Sequence, residues 1–480
     1  MAITLFAWLL CGLLLAAFIP AACALLAGRE RPALGLTAAL TLAFFAGAVS
    51  LVVLWEGLLS IPFSALGITV PVLALSMPGW WAWRKAGRPL PRRPVLSRWE
   101  LLALVLTGLI AAAILFNSLV IPFYRDDTLG IYLPQAQALF ETRALLPLTG
   151  ADSLYLAYPM LNQHLIAFTF MASGWENDYL AKALLTLLSL GCLLAAYALG
   201  ERAAGRRAGW MAALLLALTP SFGRWASAGY ADLPMAFFYS LSAVFALRLW
   251  DEGRLRDAVV AGALMGLAAW TKNAALPGLG VIVLAFAVIG LRRRATWRVL
   301  AAGFGAMLLV AAPWYIRNLL GAGFLMPDTV WAERASATID SLFALLNQPG
   351  NFGLSGWLGF FGALWAVVLI AQRGRGAPAL IAMLVWSAPL FGLWWLFASY
   401  DPRFLLYILP MTSALGAVFV NCAYESLMGR PRVVFRWVLA AFAVGMTFYM
   451  LWISVEYKDE LLRAPLMSDI ERRALVGREE

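Results

Sequence analysis

Two adjacent carboxylates, Asp126 and Asp127, follow an apolar segment that is long enough to cross a membrane. Each carboxylate disfavours ionisation of the other, so such a pair can bind a cation or supply a general base. The pattern does not distinguish which of the two takes a proton. The alternative is a solvated loop in which Arg125 neutralises the pair. Asp126 and Asp127 are therefore candidate catalytic residues.

Two further charged residues lie where apolar segments begin or end. Asp232 begins a predicted span, where an ionisable residue is a functional candidate and a helix N-cap is the alternative. Lys272 separates two predicted spans that share only residues 258–291. Each has about 16 residues, or about 24 Å, which is shorter than the roughly 30 Å hydrocarbon core. We therefore expect Lys272 in a cavity that suits an anionic headgroup or phosphate; a snorkelling anchor is the alternative.

Three more residues are weaker candidates. Arg317 and Arg403 are predicted at the same membrane face as the aspartates, and anchoring in the interfacial aromatic belt is the alternative for both. His164 is the only histidine, and a lone histidine is more often structural than catalytic. The sequence has no cluster of His and Cys of the kind that binds zinc. It also has no phosphate-binding loop of the kind that indicates ATP use.

The composition predicts an all-α, polytopic membrane protein. Of the 480 residues 63% are hydrophobic and 13% are charged, and the mean hydropathy is +0.81. In lipid the backbone must satisfy its own hydrogen bonds, so long apolar segments must be helical. We predict 14 spans, at residues 3–27, 34–56, 61–83, 101–121, 178–200, 208–222, 233–250, 258–272, 275–291, 298–316, 352–371, 377–398, 403–424 and 436–455.

The positions of basic residues predict the orientation. Alternate loops carry most of the arginines, which places them in the cytoplasm and explains the net charge of +10 without a nucleic-acid partner. The opposite loops, including 122–177 and 317–351, are acidic and then lie outside, as do both termini. Residues Thr128 to Thr142 are predicted to form an amphipathic helix on the membrane surface. An outer active site fits a bacterial inner membrane, with the site on the periplasmic side.

The chain divides into five predicted regions. Residues 1–83 form three N-terminal transmembrane helices, and residues 84–100 form a basic, proline-rich cytoplasmic linker. The catalytic body spans residues 101–425. Residues 426–455 form the last span, and residues 456–480 form a charged C-terminal tail, predicted to be a small outer appendage.

These segments together resemble the GT-C glycosyltransferases, membrane enzymes that use sugars linked to lipid phosphates. The resemblance is closest to the bacterial branch related to protein O-mannosyltransferases and lipid A aminoarabinose transferases, and it covers roughly residues 100–425. The matching segments share one predicted face and are Asp126-Asp127, Tyr158-Pro159, Tyr230-Ala231-Asp232-Leu233-Pro234, Thr271-Lys272-Asn273 with Pro277, Pro313-Trp314-Tyr315-Ile316-Arg317-Asn318, and Arg403-Phe404-Leu405-Leu406 with Pro410. Many relatives have Asp-Glu at the first segment and place it after the first span, so the three leading spans look like an addition.

The resemblance implies an inverting transfer of a hexosyl or pentosyl group. The donor would be a polyprenyl-phosphate sugar, and the acceptor a hydroxyl of a glycolipid, polysaccharide or protein. One carboxylate of the acidic pair would take the acceptor proton. Lys272, Arg317 and Arg403 would stabilise the phosphate leaving group.

The rest of the implied site binds substrate. Asp232 would orient the sugar or the acceptor, and Tyr158, His164 and Arg125 complete the substrate-binding set. Some relatives use a divalent cation and others do not. If one binds here, its ligands would be the acidic pair and Asp232.

Three other classes remain alternatives, and one of them is a non-catalytic membrane scaffold. A transporter or lipid flippase would have functional charges deep within its spans, and often inverted repeats with broken helices. The candidate charges instead gather at one predicted face, and no internal repeat is evident. An O-antigen ligase-like enzyme would depend on outer arginines and histidine more than on an early acidic pair.

Overall fold

The computed structural model describes residues 2–27, 32–92, 95–148, 153–327, 332–348, 350–372, 374, 376–455 and 458–478. The helices are α1 Ala2–Ala17, α2 Ile19–Leu26, α3 Leu34–Leu58, α4 Ala65–Lys85, α5 Arg98–Val120, α6 Leu133–Thr142, α7 Ser153–Leu156, α8 Leu161–Ser173, α9 Asp178–Ala217, α10 Pro220–Trp225, α11 Asp232–Glu252, α12 Leu255–Thr271, α13 Leu276–Leu291, α14 Trp297–Ala322, α15 Ile339–Asn347, α16 Gly353–Ala371, α17 Ala377–Leu393, α18 Leu409–Ser426, α19 Gly429–Ile453, α20 Lys458–Leu461 and α21 Asp469–Leu475. The described residues form no β-strand, so the predicted all-α class is confirmed. The loop charges Arg29, Arg31, Arg93, Asp152, Asp328, Arg373 and Arg375 lie outside the described residues.

Within the described residues, 12 helical segments are long and apolar enough to cross a membrane, whereas the sequence predicted 14. Two predicted spans, 178–200 and 208–222, are joined in α9, whose backbone breaks at Ala204 and Gly205. The φ of Gly205 is 83°, a conformation that glycine adopts readily. The second difference is α12, whose 17 residues make it too short to count. Each predicted span therefore contains a helix, and the chain is an integral membrane protein.

Polar residues in the short links fix where several helices begin. Ser97 and Glu100 form a capping box at the start of α5. The Asn177 side chain accepts a hydrogen bond from the Leu180 N–H at the start of α9, and Thr296 caps α14 in the same way. The first N–H groups of a helix lack intrahelical partners, so these caps satisfy donors that lipid cannot.

Close packing of α12 against α14 brings two candidate regions to one end of the bundle. A Cβ atom added to Gly262 would lie 1.9 Å from the carbonyl oxygen of Gly303, so only glycine fits at this crossing. Lys272 follows the last residue of α12, and Arg317 lies near the end of α14. Direct contact of the two backbones therefore fixes the ends that carry these cations.

The first long loop, residues 122–177, is more deeply embedded than the sequence predicted. The predicted helix from Thr128 to Thr142 is present, as a π-helical turn that leads into α6. All residues of α8 are buried, and α8 packs against α3, α6 and α9. The interpretation of the whole segment as an outer loop was therefore incomplete. The apolar sequence of α8 is too short to span a membrane, so hydropathy alone does not distinguish it from a loop.

The second predicted outer loop, residues 317–351, also contains helix. The last turns of α14 extend to Ala322, and α15 occupies Ile339–Asn347. The predicted end of this span, at residue 316, was therefore too early. The polar pair Arg317-Asn318 suggested a boundary, but both side chains find protein partners within the bundle.

Loops that were predicted on the same side of the membrane contact one another in the structure. At one end Arg206 binds Glu100, with 3.0 Å between Nη2 and Oε2, and Arg202 binds Asp251, with 2.7 Å between Nη1 and Oδ2. The acidic pair and the candidate cations lie at the other end. The two loop sets therefore separate as the alternation of spans requires. Which end faces the cytoplasm stays a prediction.

Candidate active site

Two ion pairs form the charged centre of the site. Arg403 Nη1 lies 2.8 Å from Asp127 Oδ2, and Lys272 Nζ lies 2.8 Å from Asp232 Oδ1. Arg403 is also near enough to Asp232 to interact with it electrostatically. The structure thus brings together four predicted site residues from four separate elements of the chain.

The pair formed by Asp232 and Lys272 is buried. The Asp232 side chain is 2% exposed and that of Lys272 is 13% exposed. Lys272 lies at the break between α12 and α13, which have 17 and 16 residues, as the argument from short helices predicted. Asp232 makes no capping hydrogen bond, so the N-cap alternative is wrong. The Tyr407 hydroxyl also lies within hydrogen-bonding reach of the Asp232 carboxylate.

Aromatic rings surround the two cations. The Arg403 guanidinium lies over the rings of Tyr230, Phe404 and Trp225, at 4.8, 5.0 and 5.5 Å from their centroids. Lys272 Nζ lies 5.2 Å from the centroid of Phe404 and 5.4 Å from that of Tyr407. Ring faces attract cations without neutralising them, so the rings add to the attraction that the two carboxylates exert on these cations.

The acidic pair has one paired member and one exposed member. The Asp127 backbone N–H donates to the Tyr230 hydroxyl at 3.0 Å, and its carboxylate binds Arg403. Asp126 is exposed, and no hydrogen bond or ion pair joins it to another described residue. Arg125 lies over the ring of Trp225, 4.9 Å from its centroid. The two neighbouring carboxylates therefore have different surroundings.

Three tyrosines line the site beside these carboxylates. Burial raises the pKa of Tyr132, and the nearby charges of Asp232 and Asp127 raise it further. Burial also raises the pKa of Tyr158, and it raises that of Tyr230 to about 12. All three hydroxyls stay protonated at neutral pH and can donate hydrogen bonds. Sequence reasoning missed Tyr132 as a site residue, although its position in the predicted helix after the acidic pair was a usable signal.

His164 and Arg317 lie away from this charged centre. His164 is fully buried on α8, and its Nδ1 is 2.9 Å from the Ser50 carbonyl oxygen of α3. Burial lowers the pKa of His164 to about 4. Arg317 donates to the Leu146 carbonyl and lies 4.3 Å from the ring centroid of Trp314. No hydrogen bond or ion pair in the described part of the chain joins either residue to the two ion pairs. Their substrate-binding role stays a prediction.

A second buried charge cluster holds the chain just before the acidic pair. Asp178 is fully buried and binds Arg478 of the C-terminal tail. It also accepts a hydrogen bond from the Phe123 N–H at 3.4 Å. Lys182, also fully buried, donates to the carbonyl oxygens of residues 121–122 at 2.9 and 3.1 Å. Sequence reasoning missed this clamp, because the predicted outer appendage gave no sign of where it packs.

The predicted metal ligands are not gathered into one cluster. No group of three His, Cys, Asp or Glu side chains in the described ranges could hold a metal ion. Asp127 and Asp232 each already bind a cationic side chain. The described residues therefore show no preformed metal site built from the acidic pair and Asp232, and the divalent cation stays a prediction.

Comparison with known proteins shows which fold this chain shares. A family model described as dolichyl-phosphate-mannose-protein mannosyltransferase matches residues 159–316, which is less than half of the chain but includes Asp232 and Lys272. No curated protein matches the sequence. The fold is that of the GT-C membrane glycosyltransferases, and the predicted resemblance to that class is confirmed.

Particular solved structures share this fold. ArnT from Cupriavidus metallidurans bound to undecaprenyl phosphate matches with a TM-score of 0.53 and 20% identity, over 78% of this chain and 73% of that chain. The oligosaccharyltransferase of Archaeoglobus fulgidus in complex with Zn and sulfate matches with a TM-score of 0.52 and 16% identity, over 74% of this chain and 53% of that one. The same enzyme tethered with an acceptor peptide gives a TM-score of 0.51 and 15% identity, over 75% and 55%. At these identities the likeness shows the fold.

Proposed function

We propose that this protein is an inverting glycosyltransferase that moves a sugar from a polyprenyl-phosphate carrier to a hydroxyl acceptor. One observation carries the proposal: Asp126, an exposed carboxylate without an ion-pair partner among the described residues, adjoins a charged centre in which Arg403 and Lys272 are held by neighbouring carboxylates and aromatic rings. The solved ArnT structure with undecaprenyl phosphate and the mannosyltransferase family model support a lipid-phosphate donor.

Asp126 is the general base in this proposal. A general base needs a carboxylate oxygen that is free to accept the proton of the acceptor hydroxyl. Asp127 Oδ2 is bound by Arg403 Nη1, whereas no ion pair joins Asp126 to another described residue. Asp126 takes the proton of the acceptor hydroxyl as the hydroxyl oxygen bonds to the anomeric carbon. Asp127 is then a positioning residue that holds Arg403 beside the reacting groups.

Lys272 and Arg403 stabilise the leaving group. As the bond between the anomeric carbon and the phosphate oxygen breaks, its electron pair passes to the phosphate, whose negative charge increases. Fixed cations placed where charge develops lower such a barrier. A phosphate is a weak base, so this step needs cationic stabilisation more than proton donation. Asp232 and the Tyr132 and Tyr230 hydroxyls supply hydrogen-bonding groups for the sugar.

We further propose that the reaction takes place at the outer face of a bacterial inner membrane. The basic loops are at the end of the bundle opposite the two ion pairs, and the positive-inside rule puts that basic end in the cytoplasm. A polyprenyl carrier in the outer leaflet would then present its phosphate beside Lys272. The acceptor is a glycolipid, polysaccharide or protein hydroxyl.

The test is sugar transfer by the purified protein. Wild type is incubated with a panel of radiolabelled polyprenyl-phosphate hexoses and pentoses and with membrane extract as acceptor. We expect transfer from at least one donor, with the anomeric configuration of the product opposite to that of the donor by NMR. Retention of configuration would contradict direct displacement. Movement of intact donor across vesicle membranes without transfer would favour a flippase instead.

A further inference from the structure

A separate cavity lies at the end of the bundle opposite the candidate active site. Its volume is about 560 Å³, and α5, the second half of α9, α16, α18 and α19 line it. The residues nearest its basic end include Glu100, Arg206 and Arg436. The proposed glycosyltransferase chemistry uses none of these residues.

The basic end of this cavity has unused hydrogen-bond donors. Arg206 is paired with Glu100. Arg436 has no carboxylate partner among the described residues, and its guanidinium lies 4.6 Å from the ring centroid of Trp99. Arg436 Nε and Trp210 Nε1 are both buried without an acceptor in the described structure. Buried polar groups are nearly always paired, so these two donors indicate a missing acceptor, and the guanidinium favours an anionic one.

The remaining walls of the cavity are apolar. They include Leu106, Leu214, Leu358 and Leu439, contributed by four different helices. From Arg206 to Leu218, the wall formed by α9 is about 18 Å long at 1.5 Å per residue. This is close to one leaflet of a hydrocarbon core that is roughly 30 Å thick. The cavity therefore fits an amphiphile, with an anionic group at one end and chains of about one leaflet in length.

We propose that this cavity binds one anionic phospholipid from the leaflet opposite the active site. The headgroup phosphate accepts hydrogen bonds from Arg436 and Trp210, and the acyl chains lie along the leucine-lined wall. An inorganic phosphate would leave that wall without a partner. The polyprenyl donor is excluded in this proposal because its phosphate is required at Lys272, at the other end of the bundle.

Native mass spectrometry of the purified, delipidated protein tests the proposal. Phosphatidylglycerol and phosphatidylcholine of identical acyl chains are titrated separately. We expect one phosphatidylglycerol per protein, bound at least tenfold more tightly than phosphatidylcholine. Arg436→Gln and Trp210→Phe should each weaken phosphatidylglycerol at least fivefold. Arg202→Gln, at the same end of the bundle but outside the cavity lining, should leave it unchanged.

Several outcomes would overturn the proposal. Equal binding of the two lipids would remove the role of charge, and unchanged binding in both cavity variants would place the lipid elsewhere. If soluble glycerophosphoglycerol bound as tightly as the lipid, the cavity would be a phosphate-binding site to which acyl chains contribute nothing. Displacement of phosphatidylglycerol by one equivalent of polyprenyl phosphate would assign the cavity to the donor. Sugar transfer is not the readout, so failure here leaves the glycosyltransferase proposal intact.

Discussion

Replacing Lys272 with methionine tests how the buried ion pair contributes to folding and to transfer. The substitution keeps much of the volume of the side chain but removes the charge. Asp232, whose side chain is 2% exposed, then loses the cation 2.8 Å away. Removing one member of a buried pair costs about 3–5 kcal/mol, because the other charge stays desolvated. Arg403 also acts on Asp232, so we expect about 3 kcal/mol, the lower end of that range.

The double variant Asp232→Asn with Lys272→Met separates the two roles of the lysine. A neutral amide removes the stranded charge, so we expect the double variant to recover about 2 kcal/mol relative to Lys272→Met alone. Sugar transfer should stay lost in both variants, because neither supplies a cation for the departing phosphate. Lys272 would then contribute to stability through Asp232 and to catalysis through its own charge.

Unfolding in mixed micelles, followed by tryptophan fluorescence, measures the free energy of unfolding, and radiolabelled sugar transfer measures activity. A Lys272→Met protein within about 0.5 kcal/mol of wild type would refute the burial argument, since such a change is typical of surface substitutions. Restored transfer in the double variant would refute the proposed role of Lys272 at the phosphate.

Three further predictions concern other parts of the site. Arg403→Lys should reduce transfer at least tenfold at unchanged protein level, because an ammonium cannot reproduce the stacked guanidinium; equal rates would contradict this. The pKa of His164 is about 4 when folded and ordinarily 6.5, so unfolded chains bind more protons between these values. Above pH 6.5 the buried neutral imidazole therefore adds on the order of 3 kcal/mol to the free energy of unfolding, relative to acidic pH. This contribution is lost as the pH falls from 6.5 toward 4. In His164→Asn the free energy of unfolding should change less between pH 7.5 and pH 5 than it does in wild type. The same pH dependence in both proteins would refute this. Deleting residues 458–480 removes the arginines that pair with the buried Asp178, so we expect a lower melting temperature. Adding Asp178→Asn to the deletion should restore part of the lost thermal stability. A deletion variant as stable as wild type would contradict this.

The parts of the site that sequence predicted are those encoded by local pattern. The two predicted spans on either side of Lys272 share only residues 258–291, which predicted that Lys272 lies below the outer surface, in a cavity. In the structure the Lys272 side chain is 13% exposed. The alternation of basic and acidic loops placed Asp127, Asp232, Lys272 and Arg403 on one face. These inferences succeed because membrane thickness and loop charge act on every span separately.

Long-range pairing was beyond the reach of the same pattern. Arg403 and Asp127 are 276 residues apart, and nothing in either local sequence predicts that they meet. The burial of α8 was missed because its length excludes a span, and tertiary contacts with α3 and α9 determine its position. His164 illustrates the consequence: its chain position suggested an outer loop, whereas its ring is packed 5.4 Å from Trp270.

The most direct test compares Asp126→Asn with Glu141→Gln. Glu141 is an exposed carboxylate at the end of α6, and no hydrogen bond or ion pair in the described part of the chain joins it to the charged centre. Both variants are first checked to have the thermal stability of wild type. They are then assayed for sugar transfer from the donor that wild type accepts. We expect Asp126→Asn to lose transfer at least 100-fold, in the range typical of a removed general base, and Glu141→Gln to keep it. Wild-type transfer by Asp126→Asn would contradict the assignment of Asp126 as the base.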